Sequence, residues 1–432
     1  MNRLGWIDAP EASRAQWPEL AAFAAGVRQD GLTRVLLCGM GGSSLAPAVL
    51  AHAFGGAGRR AAFDILDSTD PGAVLDAERR APLEHTLFVI ASKSGTTVET
   101  LAAYHHFARR APPRQFVAVT DPGSPLESLA KRTGFRAVFG HPPDVGGRYA
   151  ALTVVGMLPA ALLGVDGAEL LARARRVDEE GARRLGRAVV AAALAGRDKL
   201  VLRPPPPVAR LADWVEQLVA ESSGKEGKGV IPVVGAAAET PDVQTVTEFS
   251  ADPLDLGAEF LRWEYATWAL CDQLGVNAFD QPDVEAAKAF AREQAAPMPP
   301  TLSPAQLRGA ARPGDYVAIL AYLPPRPAVA RALERVRAAW GGALGCVATS
   351  AFGPRYLHST GQLHKGGPNT GLFLVVTADD AEDVEIPEMG RSFGALKRAQ
   401  AVGDVRALLA KGRRVAHVHL SDPQELGRLA RL

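Results

Sequence analysis

Short apolar runs alternate with amphipathic stretches along most of the chain. TRVLLCGM (33–40) passes through glycines into SLAPAVLAHAF, AAFDILDS (61–68) follows, and HTLFVIASKSGTT (85–97) leads into VETLAAYHHFARR. Apolar runs bounded by turn residues predict strands, and apolar positions spaced three and four apart predict helices. QFVAVTDPGSPLESLAKRTGF repeats the pattern: Ser124 and Glu127 have capping-box spacing, Pro125 suits a first helical turn and Gly134 a C-cap. A helical stretch around ELLARARRVDEEGARRL then precedes a second set of predicted strands, DKLVLRPP, DYVAILAYL, GCVATSA, GLFLVVTAD and RRVAHVHL. Strands alternating with helices predict an α/β fold in two domains, 1–170 with a leading helical segment and 171–432. Each is expected to be a mainly parallel sheet flanked by helices on both faces. AAPMPPTLSPAQ (295–306) reads as a surface loop.

Composition narrows what such a chain does. A length of 432 residues agrees with two domains, and a net charge of +1 without basic–aromatic clustering gives nucleic acid or an anionic membrane no electrostatic hold. The apolar stretch YAALTVVGMLPAALLGV is broken by Gly156 and Pro159 and falls short of the ~20 residues of a membrane helix. The N-terminus has no apolar core of the signal-peptide kind, so a cytoplasmic location is expected. Cys38, Cys271 and Cys346 lack metal-ligand spacing, and their odd number argues against a disulfide framework. Only nine of 48 basic residues are lysine, and Lys93, Lys225, Lys228, Lys288 and Lys365 all fall in the motifs below. Where arginine is the default cation, a lysine marks a place for a compact ammonium.

In open α/β sheets ligands collect beyond the carboxyl ends of strands, at helix N-termini. CGMGGSSLAP (38–47) occupies such a place and reads either as an anion-binding glycine turn or as a plain strand-to-helix turn with a serine cap. Ser44 replaces the third glycine of a dinucleotide fingerprint, and no P-loop ending is present. SKSGTT (92–97) sets four hydroxyls and a lysine around a glycine, which suits a phosphate monoester. Thr96 and Glu99 have T-x-x-E spacing, so Glu99 is assigned to helix capping and the surplus donors to an anion. Arg148 opens an apolar helix against the dipole, as a cation facing the cleft or as a surface ion pair. Glu221 and Lys225, at the end of the LADWVEQLVA helix, are spaced as a solvated i,i+4 pair. Pro282 starts a helix on which Glu285 and Lys288 share a face. Of the histidines, His105 and His106 fall on a helix and His417 and His419 on a strand. The loop LHSTGQLHKGG, with His358 and His364, is best placed for acid–base work.

Together GMGGSSLAP, SKSGTT, GGRY, ESSGKEGKG, FDQPDVEAAK and LHSTGQ resemble the phosphoglucose isomerase family of paired sugar-isomerase (SIS) domains. The likeness is greatest to the isomerase half of proteins that fuse it to transaldolase, whose barrel this chain is too short to carry as well. The resemblance implies interconversion of glucose 6-phosphate and fructose 6-phosphate without metal or other cofactor. It implies that Ser43, Ser92, Lys93, Ser94 and Thr97 hold the substrate phosphate, and that Glu221 moves a proton between C2 and C1 through a cis-enediolate. Arg148 would stabilise that intermediate, and Lys288 and His358 would handle ring opening, with His364 as the alternative histidine. The order Glu221, Lys288, His358 departs from the family, where the histidine motif lies between the other two, and Asp283 stands where a small residue is usual. The family's histidine comes from the neighbouring subunit, so a homodimer is implied. Two other readings are a dual phosphoglucose/phosphomannose isomerase and a non-catalytic SIS-type sugar-phosphate-binding protein.

Overall fold

The first sheet grows from apolar runs buried on both faces, as parallel strands covered by helices are. The computed structural model describes residues 3–55, 62–80, 82–235, 239–283 and 297–431. Strands β1 (Arg34–Gly39), β2 (Ala62–Leu66), β3 (Thr86–Ala91), β4 (Phe116–Thr120) and β5 (Ala137–Gly140) are all parallel, in the order β2-β1-β3-β4-β5. Successive side chains leave opposite faces: Val35, Leu37, Leu87 and Val89 enter one core, Leu36, Cys38, Phe88 and Ile90 the other. Burying each large apolar side chain contributes roughly 1.5–3 kcal/mol relative to exposure. Helices α1 (Ala9–Gln29), α2 (Gly42–Phe54) and α6 (Val154–Leu163) cover the first face; α3 (Pro71–Arg80), α4 (Val98–Ala108) and α5 (Pro125–Thr133) cover the second.

Local signals explain where helices start. Ser124 Oγ accepts the Glu127 amide at 3.1 Å and Gly134 closes α5 in the left-handed region, while the Glu127 carboxylate turns to the Gly123 amide. The single helical stretch expected around 169–185 is two helices, α7 (Gly167–Ala174) and α8 (Glu179–Leu194). Asp178 Oδ1 accepts the Gly181 amide at 3.0 Å and so caps a new helix in mid-stretch.

The second set of strands divides in two. β6 (Lys199–Leu202), β7 (Ile231–Val234) and β8 (Val243–Val246) form a parallel sheet in the order β7-β6-β8. The four-residue strands β7 and β8 are too short to stand out by alternation, and Pro232, without an amide, suits β7 to its edge place. β9 (Tyr316–Tyr322), β10 (Val347–Phe352) and β11 (Gly371–Ala378) join the last strand, β14 (Arg414–Leu420), in a parallel sheet ordered β10-β9-β11-β14. Between them β12 (Glu385–Ile386) and β13 (Arg391–Ser392) make a short antiparallel ribbon. Val317, Ile319, Leu372 and Leu374 face one core, Ala318, Leu320, Phe373 and Val375 the other. Helix α9 (Leu211–Ser223) ties the halves together: Trp214, Val215, Leu218 and Val219 sit in the first core, and Ala220 packs with β6, β7 and β9. Helix α10 (Leu256–Leu274) lies along α8 and α9. No described helix is long and apolar enough to cross a membrane.

Candidate active site

The chain passes from β1 to one side at β2 and to the other at β3, so the crevice opens where Gly39 lies opposite Ala91. Both sequence turns enter it. Gly41 has φ +56°, and a Cβ there would lie 2.7 Å from His358 O and 2.9 Å from Gln217 Nε2. A Cβ on Gly42 would come within 2.0 Å of Gly147 O. The glycines are therefore required by close backbone approach, to the Gly147–Tyr149 turn on one side and to His358 on the other. Ser44 is buried with its Oγ 3.2 Å from Gly41 O, and Ser43 stands partly buried in the first turn of α2.

In the hydroxyl loop the side chains pair among themselves. Ser92 Oγ and Thr97 Oγ1 are 2.8 Å apart, as are Ser94 Oγ and Thr96 Oγ1, and the Thr96 amide donates to Ser94 Oγ at 3.2 Å. Lys93 Nζ turns to the Asp121 carboxylate, at 2.8 and 3.0 Å, and to Pro143 O at 3.3 Å. Burial works against the Asp121 charge, but hydrogen bonds from His141 and Lys93 outweigh it and hold its carboxyl below the usual range.

The role expected for Glu99 is corrected. Helix α4 begins at Val98 with Thr97 as N-cap and no side-chain cap bond, so the box with Thr96 does not form. Glu99 is 6% exposed and points inward, with Oε1 2.9 Å from His358 Nε2. An ionised carboxylate only accepts, so this contact makes His358 Nε2 the donor.

Arg148, in the Gly147–Tyr149 turn, is 5% exposed. Its Nε donates to Ser222 Oγ at 2.9 Å, Nη1 to Gln281 Oε1 at 2.9 Å, and Nη2 to the carbonyls of Ala278 and Asp280 at 2.7 and 3.1 Å. Glu221 Oε1 lies 3.3 Å from Nη1. Gln217, one turn before Glu221 on α9, donates through Nε2 to Glu221 Oε2 and to His358 O, both at 2.9 Å. One amide group thus joins the glutamate to the histidine's backbone. The cleft brings together Arg148, Glu221, His358 and, through Glu99, the hydroxyl loop. Gln217 and Glu99 were not singled out from sequence as site residues, although Gln217 shares a helix face with Glu221.

Lys225 is not the solvated partner of Glu221. Helix α9 ends at Ser223, and Lys225 is buried with Nζ 2.8 Å from Asp280 Oδ1 and 2.5 Å from Asn277 O. Burial drives its pKa down despite Asp280. Lys288 and Glu285 lie outside the described residues. The Asp283 carboxylate accepts from Gln362 Nε2 at 2.7 Å and pairs with Lys411. His364 is buried against Tyr316, Tyr356 and Phe373, and burial first, then Lys365 and Arg413, pushes its pKa well down. Of the two loop histidines, His358 is the one at the cleft, where it meets Glu99. A cavity of about 870 Å³ at the ends of β11 and β14, lined by Thr377, Arg391, His417 and His419, contains none of these residues. Among the described residues no group of three or more His, Cys, Asp or Glu side chains is arranged to hold a metal ion.

The family model for phosphoglucose isomerase matches residues 21–184. The chain is 35% identical over 266 residues to the glucose-6-phosphate isomerase of Geobacter sp. (strain M21), covering 51% of this chain and 48% of the relative. It is 37% identical over 186 residues to a glucose-6-phosphate isomerase of Thermus thermophilus, covering 41% of this chain and 43% of the relative. The chain thus spans about half the length of the curated relatives it matches. The crystal structure of a glucose-6-phosphate isomerase from Chlamydia trachomatis D/UW-3/Cx shares the fold, with a TM-score of 0.55, 20% identity, and 65% of this chain and 73% of that one covered.

Proposed function

We propose that the chain is a member of the phosphoglucose isomerase family, which its matching segments resemble, and that it interconverts glucose 6-phosphate and fructose 6-phosphate. The observation that carries the reading is the Gln217 amide, which places Glu221, under the Arg148 guanidinium, beside His358 in one cleft. Proton abstraction next to a carbonyl needs a base within reach and a fixed cation over the oxygen that becomes negative. Glu221 takes the C2 proton of the open-chain aldose and returns it to C1, and Arg148 faces the enediolate oxygen in between. His358, held by Glu99, serves ring opening with Lys288. The phosphate docks in the hydroxyl loop on Ser43, Ser92, Ser94 and Thr97, where the β3–α4 turn offers amides as well as hydroxyls, and Lys93 swings from Asp121 to meet it. Binding energy from the phosphate, remote from C1 and C2, is then available for orientation.

A homodimer and a cytoplasmic location complete the reading; sedimentation of the purified protein tests the first. The decisive assay mixes the full chain with fructose 6-phosphate and follows glucose 6-phosphate, with mannose 6-phosphate measured in parallel to read epimer choice at C2. Turnover by the wild type, falling by about a hundredfold or more in Glu221→Gln, is expected. Absence of wild-type turnover, or full activity of Glu221→Gln, would refute the assignment.

A further inference from the structure

Glu99 Oε1 has a second donor besides His358. Gln400, on the helix Phe393–Ala410, gives it Nε2–H at 2.7 Å, and Gln400 Oε1 accepts the Thr69 hydroxyl at 2.6 Å. Gln400 is 4% exposed and Thr69 is fully buried, so neither contact competes with bulk water. Only one orientation of the amide works there: turned over, its oxygen would face the Glu99 carboxylate.

The same helix also holds the other side of the dyad. Asp404, one turn on, accepts the Tyr356 hydroxyl at 2.5 Å and pairs with Lys365 at 2.5 Å; Tyr356 lies two residues before His358. One turn earlier, Lys397 reaches Asp70, the neighbour of Thr69, at 2.8 Å. Lys397, Gln400 and Asp404 are spaced to share one helix face. The backbone that carries the His358 ring and the carboxylate that aims it are therefore fixed to one rigid element.

From this geometry we propose that Gln400 is a positioning residue: it orients Glu99 so that His358 keeps its proton on Nε2 and leaves Nδ1 for proton exchange with substrate. The role in turnover rests on the isomerase reading above; the role in setting the imidazole does not. Two donors on one carboxylate oxygen restrict its plane, and with it the direction from which the imidazole bonds. Without the amide, Glu99 would be a buried carboxylate short of one donor, and its plane would be less closely set.

The test compares wild type with Gln400→Leu, which keeps bulk and removes both hydrogen bonds. Thr69→Val serves as a milder second variant should the first fail to fold. Two-dimensional ¹⁵N–¹H spectra of the imidazoles, with His358→Asn to assign the signals, report the tautomer without any substrate. The wild type should show His358 protonated at Nε2, and the variants a mixture of tautomers. In the coupled assay, kcat of Gln400→Leu should fall about tenfold or more with KM nearly constant. An unchanged His358 tautomer in the variants overturns the proposal whatever the activity. A silent wild type with a shifted tautomer overturns the isomerase reading and leaves this one standing.

Discussion

Arg148 Nη1 stands 3.3 Å from Glu221 Oε1, and that is the sole ionic contact among those described for the guanidinium, whose other partners are neutral oxygens. A cation held by Ser222, Gln281 and two carbonyls is fixed in place without being neutralised, which is what a developing oxyanion requires. Lysine cannot reproduce this, because three rotatable donors on a point charge do not span the guanidinium's fork. Arg148→Lys should lower kcat about a hundredfold and cost about 1–3 kcal/mol of stability from the abandoned acceptors. Steady-state kinetics and urea denaturation read the two effects; an unaltered kcat would remove Arg148 from the chemistry.

The approach of the first glycine turn to the Arg148 turn makes a sharper structural prediction. A methyl at Gly42 would meet Gly147 O at 2.0 Å, whereas one at Gly147 has nothing within 4 Å. Gly42→Ala must push α2 away from the turn, with a loss of roughly 1–3 kcal/mol as in other overpacked sites, and it should carry Arg148 out of register and depress turnover. Gly147→Ala should be close to neutral in the same melting and activity measurements. Equal behaviour of the two variants would mean that the turns are not in contact in solution.

Much of this was legible in the chain itself, for physical reasons that also mark where legibility stops. Alternation such as Val35–Leu36–Leu37–Cys38 assigns side chains to two cores, and both glycine- and hydroxyl-rich turns stand at strand ends as expected. The scarcity of lysine was informative, but several of these lysines proved to be internal ties. Lys225 binds Asp280, Lys365 pairs with Asp404, and Lys93 holds Asp121. Glu99 was misread because T-x-x-E spacing is local and persuasive, while its partner His358 lies 259 residues away. A one-residue difference in where α4 starts was enough to turn a presumed cap into part of the site. The split of α7 from α8 was missed because Asp178 caps a new helix inside a stretch whose apolar spacing reads as one.

Lys93 offers a test of how the phosphate is received. Its ion pair with Asp121 is partly exposed, with side chains 23% and 25% accessible, so breaking it costs only about 0.2–1 kcal/mol. A phosphate dianion arriving in the hydroxyl loop can therefore draw the ammonium away. Lys93→Met should raise KM for fructose 6-phosphate about tenfold, a change of roughly 1.4 kcal/mol, and leave kcat nearly intact. Asp121→Asn should lower KM, since the competing carboxylate is gone. If Lys93→Met binds substrate as well as the wild type, Lys93 serves Asp121 alone.

Glu264 on α10 provides a pH test independent of catalysis. It is 0% exposed, and no described donor reaches either carboxylate oxygen. Burial raises its pKa well above the ordinary carboxylic range, so the folded protein keeps a proton that the unfolded chain releases above about pH 4.3. For an acid whose folded pKa is raised, the stabilisation is complete below the unfolded value and is lost as pH rises toward the folded one. Glu264→Gln places a neutral group of the same shape there and abolishes that titration. Urea unfolding at pH 5 and pH 9 should show the wild type losing stability relative to Glu264→Gln as pH increases, with the two nearest each other in acid. Parallel curves across that range would mean that Glu264 is charged in the folded protein and meets a partner that the static structure does not reveal.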